Sequence, residues 1–175
     1  MFLSPVEMLK QLPLPSGSVR VGDFGTGSGQ YALALAKRLG ERGAIYAFDP
    51  FGPALDRVKS EAGEYHSAFY TLEADLNAHI PIRDNLLNGA VVANTLYGLS
   101  DKEKFVSELS RVIAPGGRVL VIDWAGSFKN MGPPASSIMS PGEAARLFSS
   151  YGFEVGDMLP AGTHHFAFTG VGTAA

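Results

Sequence analysis

Between the apolar run Val19–Phe24 and a helix-period segment, the chain sets glycine at alternate positions, Gly25-Thr26-Gly27-Ser28-Gly29. Glycines spaced this way permit positive φ and let another group come close to the backbone. The segment that follows keeps Ala32, Leu35, Ala36 and Leu39 on one stripe, with Lys37 and Arg38 on the other side and Gly40 as its stop. A strand turned so tightly into a helix brings free amides and the positive end of the helix dipole to one point, where a ligand can be held.

The same alternation continues down the chain and predicts strands joined by helical crossovers, hence a parallel sheet covered on both faces. Strands are expected at Val19–Phe24, Ala44–Phe48, Ala68–Leu72, Ala90–Asn94 and Arg118–Trp124. A helix is expected from Ser100, with Ser100 and Glu103 capping each other's amides, Phe105, Leu109 and Val112 on its buried stripe, and Pro115–Gly117 as its stop. Ser140 and Glu143 repeat the capping pattern before a helix that buries Ala144, Leu147, Phe148 and Tyr151 and ends at Gly152. Phe153–Met158 and His164–Gly170 are separated only by Pro160-Ala161-Gly162, too short for a crossover, so these last two runs must pair antiparallel. The length, 175 residues, suits one domain spanning 1–175, of three αβα layers around a mostly parallel seven-stranded sheet with an antiparallel last strand.

The net charge of −3 with no concentration of Lys and Arg gives a nucleic-acid surface no support. The absence of cysteine excludes disulfides, thiolate metal sites and cysteine nucleophiles, and fits a reducing cytoplasm. The first residues lack the basic start and apolar run of a signal peptide, and no window approaches a membrane span, so a cytoplasmic location and no membrane partner are expected.

The dinucleotide fingerprint needs its third glycine one position later than Gly29, which disfavours a nicotinamide oxidoreductase, and no Gly-Lys-Ser/Thr follows to make a phosphate loop. What stands is Asp23-x-Gly25-x-Gly27-x-Gly29, which resembles motif I of the class I S-adenosylmethionine-dependent methyltransferases. Asp49 closing "AIYAFDP", Asp75 in "TLEADLNA", and the passage from Ile80 to Trp124 with its "APGG" extend the resemblance, which is greatest to the small quinone C-methyltransferase-like type. That resemblance implies a Rossmann-like methyltransferase fold, S-adenosylmethionine as cofactor, S-adenosylhomocysteine as product, and in-line methyl transfer to a small-molecule acceptor.

It also implies roles. Asp23, Gly25, Thr26, Gly27 and Gly29 would meet the methionine part, Asp49 with Pro50 the ribose hydroxyls, Asp75 and Leu76 the adenine, and Asn94 would join them as a cofactor contact. Asp23 is equally suited to holding the glycine loop by accepting its amides. Tyr97 and Asp123 are the expected catalytic residues, since both follow strands whose carboxyl ends face the ligand in such sheets, with Trp124 beside them. Asn94-x-x-Tyr97 also admits comparison with the signature of amino-group methyltransferases, from which Thr95-Leu96 removes both prolines. No metal site is expected; His164 and His165 would point to opposite faces of a strand and are expected to be structural. Ala125–Met139 is expected to cover the acceptor through Phe128 and Met131. The alternative function is a non-catalytic S-adenosylmethionine-binding module or partner subunit. The oligomeric state stays open, a homo-oligomer being one way for so small a domain to complete its site.

Overall fold

The computed structural model describes residues 3–128 and 132–173. In chain order the elements are α1 (Pro5–Leu9), β1 (Val19–Phe24), α2 (Gln30–Leu39), β2 (Gly43–Asp49), α3 (Gly52–Ala62), β3 (Ala68–Glu73), β4 (Leu87–Ala93), α4 (Lys102–Val112), β5 (Ile113–Trp124), α5 (Pro141–Ser150), β6 (Phe153–Leu159) and β7 (His165–Gly172). The strands form one sheet in the order β3-β2-β1-β4-β5-β7-β6. The first five run parallel, and β7 is antiparallel to both β5 and β6.

Side-chain alternation along each strand gives the sheet two apolar faces and therefore two cores. Val19, Val21, Ile45, Ala47, Val91, Leu120, Ile122 and Ala167 pack with the buried stripes of α1, α2 and α3. Phe24, Phe48, Val92, Val119, Val121, Phe166 and Phe168 pack with α4 and α5. Phe24 stacks on Phe48 at 4.6 Å and meets Phe105 edge-on at 5.8 Å, which ties two strands to α4. No helix among the described residues is long and apolar enough to cross a membrane.

The helix ends follow local chemistry in some places and distant contacts in others. At α5 the expected reciprocal cap is present: Glu143 N–H donates to Ser140, and the Glu143 carboxylate accepts from Ser140 N–H at 2.8 Å. At α4 the expected Ser100–Glu103 pair is replaced. Asp101 is the cap, accepting from Lys104 N–H at 2.9 Å, because Asn77 Oδ1 takes the amides of Ser100 and Asp101 at 2.8 and 3.0 Å. The crossover from β3 to β4 carries no helix; residues 74–86 form a loop that includes Asn85, whose φ is +54°.

Candidate functional site

The carboxyl end of β1 is closed by hydrogen bonds from its neighbours. The Phe48 carbonyl accepts from Gly25 and Thr26 N–H, both at 2.9 Å, and the Asp49 carboxylate accepts from Gly27 N–H at 2.8 Å and Phe51 N–H at 2.9 Å. Gly29 sits at the start of α2 with φ +83° and has no side chain to cap it. Asp23 supplies the cap from the strand: its Oδ2 accepts from Ala32 N–H at 3.1 Å, a carboxylate on the positive end of the helix. All three alternate glycines have positive φ. A Cβ at Gly25 would overlap the Thr95 hydroxyl, and one at Gly29 would lie 2.6 Å from Val58. One at Gly27 would meet nothing nearer than the Gly25 carbonyl, 3.9 Å away, so Gly27 is the glycine that faces open space. The cradle therefore fits a ligand against Gly27 and has no room for side chains behind it.

That space is a cleft of two lobes meeting at Gly25, Gly27 and Asn94. The lobe over the start of α2, about 270 Å³, is lined by Asp23, Thr26, Ser28, Gln30, Tyr31 and Ala93 besides these. The other, about 320 Å³, is lined by Asp49, Pro50, Asp75, Leu76, Thr95, Tyr97 and Leu99 among others. Of the sequence-expected set, the structure thus gathers Asp23, Gly25, Thr26, Gly27, Asn94, Asp49, Pro50, Asp75, Leu76 and Tyr97 around one opening, with Gly29 directly behind it. A larger groove of about 450 Å³ lies elsewhere, beside Arg111, but that guanidinium is already engaged by Glu108, Asp84 and the Ile80 and Ile82 carbonyls.

The electrostatics differ between the lobes. Burial pushes the Asp23 carboxyl up to about 7, opposed by the Thr26 hydroxyl and the Ala32 amide and reinforced by the charge of Asp49. Tyr31 is pushed up to about 12, by burial and then by Asp23. In the second lobe Asp75 is exposed and held below its ordinary value by the Asn77 amide, which donates at 2.9 Å, and by the Asn77 side chain at 3.0 Å. Asn94 adopts φ +53° and its amide donates to the Ile122 carbonyl at 2.8 Å, so the residue turns out over the rim.

One expectation changes. Asp123 does not line either lobe: it is 3% exposed, its Oδ2 accepts from Leu96 N–H and its Oδ1 from Trp124 N–H, both at 2.7 Å. The bond to Leu96 N–H anchors the turn Leu96–Gly98 that carries Tyr97, while burial raises the pKa of Asp123 against its amide donors. Tyr97 lines the lobe of Asp49 and Asp75, together with Gly25, Gly27 and Asn94 at the junction of the two lobes. In the Ala125–Met139 segment, Phe128 meets His164 edge-on at 4.5 Å, while Met131 lies outside the described residues. Tyr31 and Asn77 also line the cleft, and the sequence motifs do not single them out. Tyr31 had a signal, as the position next to Gln30 on the helix that opens at the glycine turn; Asn77 had none, because its partners lie 23 and 24 residues on. No group of His, Asp and Glu among the described residues is arranged to hold a metal ion.

Comparison with known proteins bears on the same cleft. The chain is 36% identical over 114 residues to the demethylmenaquinone methyltransferase of Thermus thermophilus, covering 65% of this chain and 50% of that protein. It is 35% identical over 104 residues to the enzyme of that name from Desulfitobacterium hafniense, covering 59% and 41%. The chain thus spans about half the length of the curated relatives it matches. Among solved structures, an S-adenosylmethionine-dependent methyltransferase from Aquifex aeolicus superposes with a TM-score of 0.86 at 29% identity, over 97% of this chain and 90% of that one. The [4+2]-cyclase SpnF shares the fold, with a TM-score of 0.83 at 17% identity over 98% of this chain and 80% of its own. The methyltransferase domain family matches residues 22–121, from within β1, which feeds the glycine turn, to Val121 in β5, two residues short of Asp123. With its glycine cradle, its acidic strand ends and its antiparallel β7, the chain belongs to the methyltransferase domain family, in the class I S-adenosylmethionine-dependent group.

Proposed function

We propose that the chain transfers the methyl group of S-adenosylmethionine to a small oxygenated aromatic acceptor, releasing S-adenosylhomocysteine. The observation that carries the proposal is the two-lobed cleft, whose open glycine position and flanking carboxylates fit an amino-acid part on one side and a nucleoside part on the other. In this proposal Gly25, Thr26, Gly27 and Asp23 hold the methionine part, with Gly29 keeping the turn tight. Asp49 and Pro50 hold the ribose, Asp75 and Leu76 the adenine, and Tyr97 packs against the nucleoside. Asn94 stands at the junction of the lobes. When bound, the cofactor supplies an electrophilic methyl on a sulfonium. The chain's own share is orientation, which is worth up to about 7–11 kcal/mol of barrier without any acid–base pair. Asp123 contributes by fixing the Tyr97 turn through Leu96 N–H.

The curated relatives are named for demethylmenaquinone, which supports an aromatic, quinone-related acceptor. No observation favours the non-catalytic alternative. The cysteine-free sequence supports a cytoplasmic setting, and the absence of a basic run supports a small molecule over nucleic acid.

Calorimetry tests the cofactor assignment. Asp49 accepts two amides, so Asp49→Ala removes the brace of the glycine loop together with a charged acceptor facing the cleft. Each charge-assisted bond is worth about 1.5–3 kcal/mol, so affinity for S-adenosylhomocysteine is expected to fall tenfold or more. A folded Asp49→Ala protein with wild-type affinity overturns the assignment.

A further inference from the structure

Residues 74–86 cross from β3 to β4 without a helix, so the stretch that brings Asp75 and Leu76 to the cleft has no regular hydrogen-bond ladder to fix it. Asn77 fixes it instead. Its backbone N–H and its side-chain Nδ2 both donate to one oxygen of Asp75, Oδ1, at 2.9 and 3.0 Å. Its own Oδ1 accepts from the N–H of Ser100 at 2.8 Å and of Asp101 at 3.0 Å, with the Ser100 hydroxyl at 3.1 Å. Backbone amides only donate and a carboxylate only accepts, so the Asn77 carboxamide has a single orientation open to it.

These bonds join the two walls of one lobe. Asp75, Leu76 and Asn77 line it on one side; Tyr97, Gly98 and Leu99, the residues just before Ser100, line it on the other. One side chain thus ties the first wall to the second across 23 and 24 residues of sequence. The Asp75 carboxylate is left asymmetric. Oδ1 holds two donors, while no hydrogen bond among the described residues reaches Oδ2. The backbone and side-chain donors of Asn77 also hold the Asp75 pKa below the ordinary carboxylate value, so the free oxygen belongs to an anion. The far end of the loop is pinned separately: Ile80 N–H donates to Glu108 at 2.9 Å, and Arg111 donates to the Ile80 and Ile82 carbonyls at 2.8 and 2.9 Å. Removing Asn77 therefore releases Asp75 without detaching the loop from α4.

We infer that Asn77 is a positioning residue that sets purine specificity, holding Asp75 so that Oδ2 alone meets the ring and selects a 6-amino over a 6-oxo purine. The inference rests on the reading of this lobe as the nucleoside site; the carboxylate is the contact already assigned there, and the role of Asn77 is what is added. A 6-amino group donates to Oδ2. A 6-oxo group is an acceptor and is repelled, but the 6-oxo purine carries an N1–H one atom along the same edge. A carboxylate free to swing would follow that N1–H and bind both purines. With Oδ1 committed to Asn77 and Asn77 committed to Ser100 and Asp101, Asp75 cannot follow it.

Calorimetry on the whole chain with S-adenosylhomocysteine and with S-inosylhomocysteine, its 6-oxo counterpart, tests this. The wild type is expected to prefer S-adenosylhomocysteine by about tenfold or more. Asn77→Ala is expected to cut that preference to about twofold. Asn77→Asp keeps an acceptor for the Ser100 and Asp101 amides but puts a like charge against Asp75; it should keep the wild-type Tm and lose the preference as the alanine variant does. A purely structural role would weaken both nucleosides by one factor and leave their ratio unchanged. Asp75→Asn, whose side-chain NH₂ can donate to a 6-oxo group, is expected to abolish or reverse the preference. No binding of S-adenosylhomocysteine, or an unchanged ratio in Asp75→Asn, overturns the nucleoside reading of the lobe and the inference with it. A ratio that changes in Asp75→Asn but is intact in both Asn77 variants, or equal wild-type binding of the two nucleosides, overturns the role of Asn77 alone.

Discussion

Asp23 makes stability depend on pH in a direction opposite to that of most carboxylates. Its side chain is 2% exposed, and burial, with the charge of Asp49, carries its pKa from 3.8 to about 7. Below pH 3.8 the carboxyl is protonated in both folded and unfolded chains. Between 3.8 and about 7 the folded chain keeps the proton that the unfolded chain has lost, so the folded state binds more protons and stability falls as pH rises. A shift of about three units at about 1.4 kcal/mol each corresponds to about 4 kcal/mol in full, of which about 3 kcal/mol falls between pH 4 and pH 7. Asp23→Asn keeps the shape and an acceptor for Ala32 N–H but cannot ionise. Urea unfolding of both proteins, followed by circular dichroism at pH 4, 5, 6 and 7, isolates this group from the others. The variant should gain on the wild type by about 3 kcal/mol over that range. A gap constant to within about 0.5 kcal/mol, or one that moves the other way, refutes the reasoning. The same proton links to ligand binding: a cation in the Tyr31 lobe favours ionised Asp23, so S-adenosylmethionine binding near pH 6 should release protons in the wild type and none in Asp23→Asn. Calorimetry in buffers of different ionisation enthalpy checks this.

The glycine turn predicts a contrast: Gly29→Ala drives a Cβ to 2.6 Å from Val58 at φ +83° and should destabilise the fold by about 2 kcal/mol or more, read as a lowered Tm. Gly27→Ala, at φ +51° with open space, should cost only about 1 kcal/mol in stability but obstruct S-adenosylhomocysteine in calorimetry. Glu108 is held down at about 2 by the Arg111 guanidinium, so the stability it adds is full above its ordinary 4.5 and lost as pH falls toward 2; Glu108→Gln should be on the order of 3 kcal/mol less stable at pH 7 and converge with the wild type in acid. Asp123→Asn sets an NH₂ against an amide of Leu96 or Trp124 and should lower stability by about 1–3 kcal/mol while weakening cofactor binding through the displaced Tyr97 turn, measured by urea unfolding and calorimetry.

Local patterns in the sequence carried the sheet, because strand alternation and helix stripes are local. Val19–Phe24 is a strand to the residue, and the Ser140–Glu143 cap stands as expected. The sequence predicts β5 from Arg118, but the strand starts at Ile113: Pro115-Gly116-Gly117 signals a stop, yet the strand continues through it by a register shift opposite Leu87 and Gly89, with Gly116 at φ +76°. The carboxylates were legible in position and not in partner. Asp23, Asp49 and Asp123 all stand at strand ends, but only packing decides that Asp23 caps α2, Asp49 braces Gly27 and Asp123 is consumed by the Leu96 turn. Glu108 left a signal that went unread, a carboxylate among Phe105, Leu109 and Val112 on the apolar stripe of α4, where burial demands a partner such as Arg111.

A crystal structure of the protein with S-adenosylhomocysteine tests the central claim most directly. The account predicts ligand density across both lobes, the amino-acid part beside Asp23 and Gly27, the ribose hydroxyls on Asp49 and the adenine beside Asp75 and Leu76. Density in any other cavity with this cleft empty, or the nucleoside in the Tyr31 lobe and the amino-acid part beside Asp75, would contradict it.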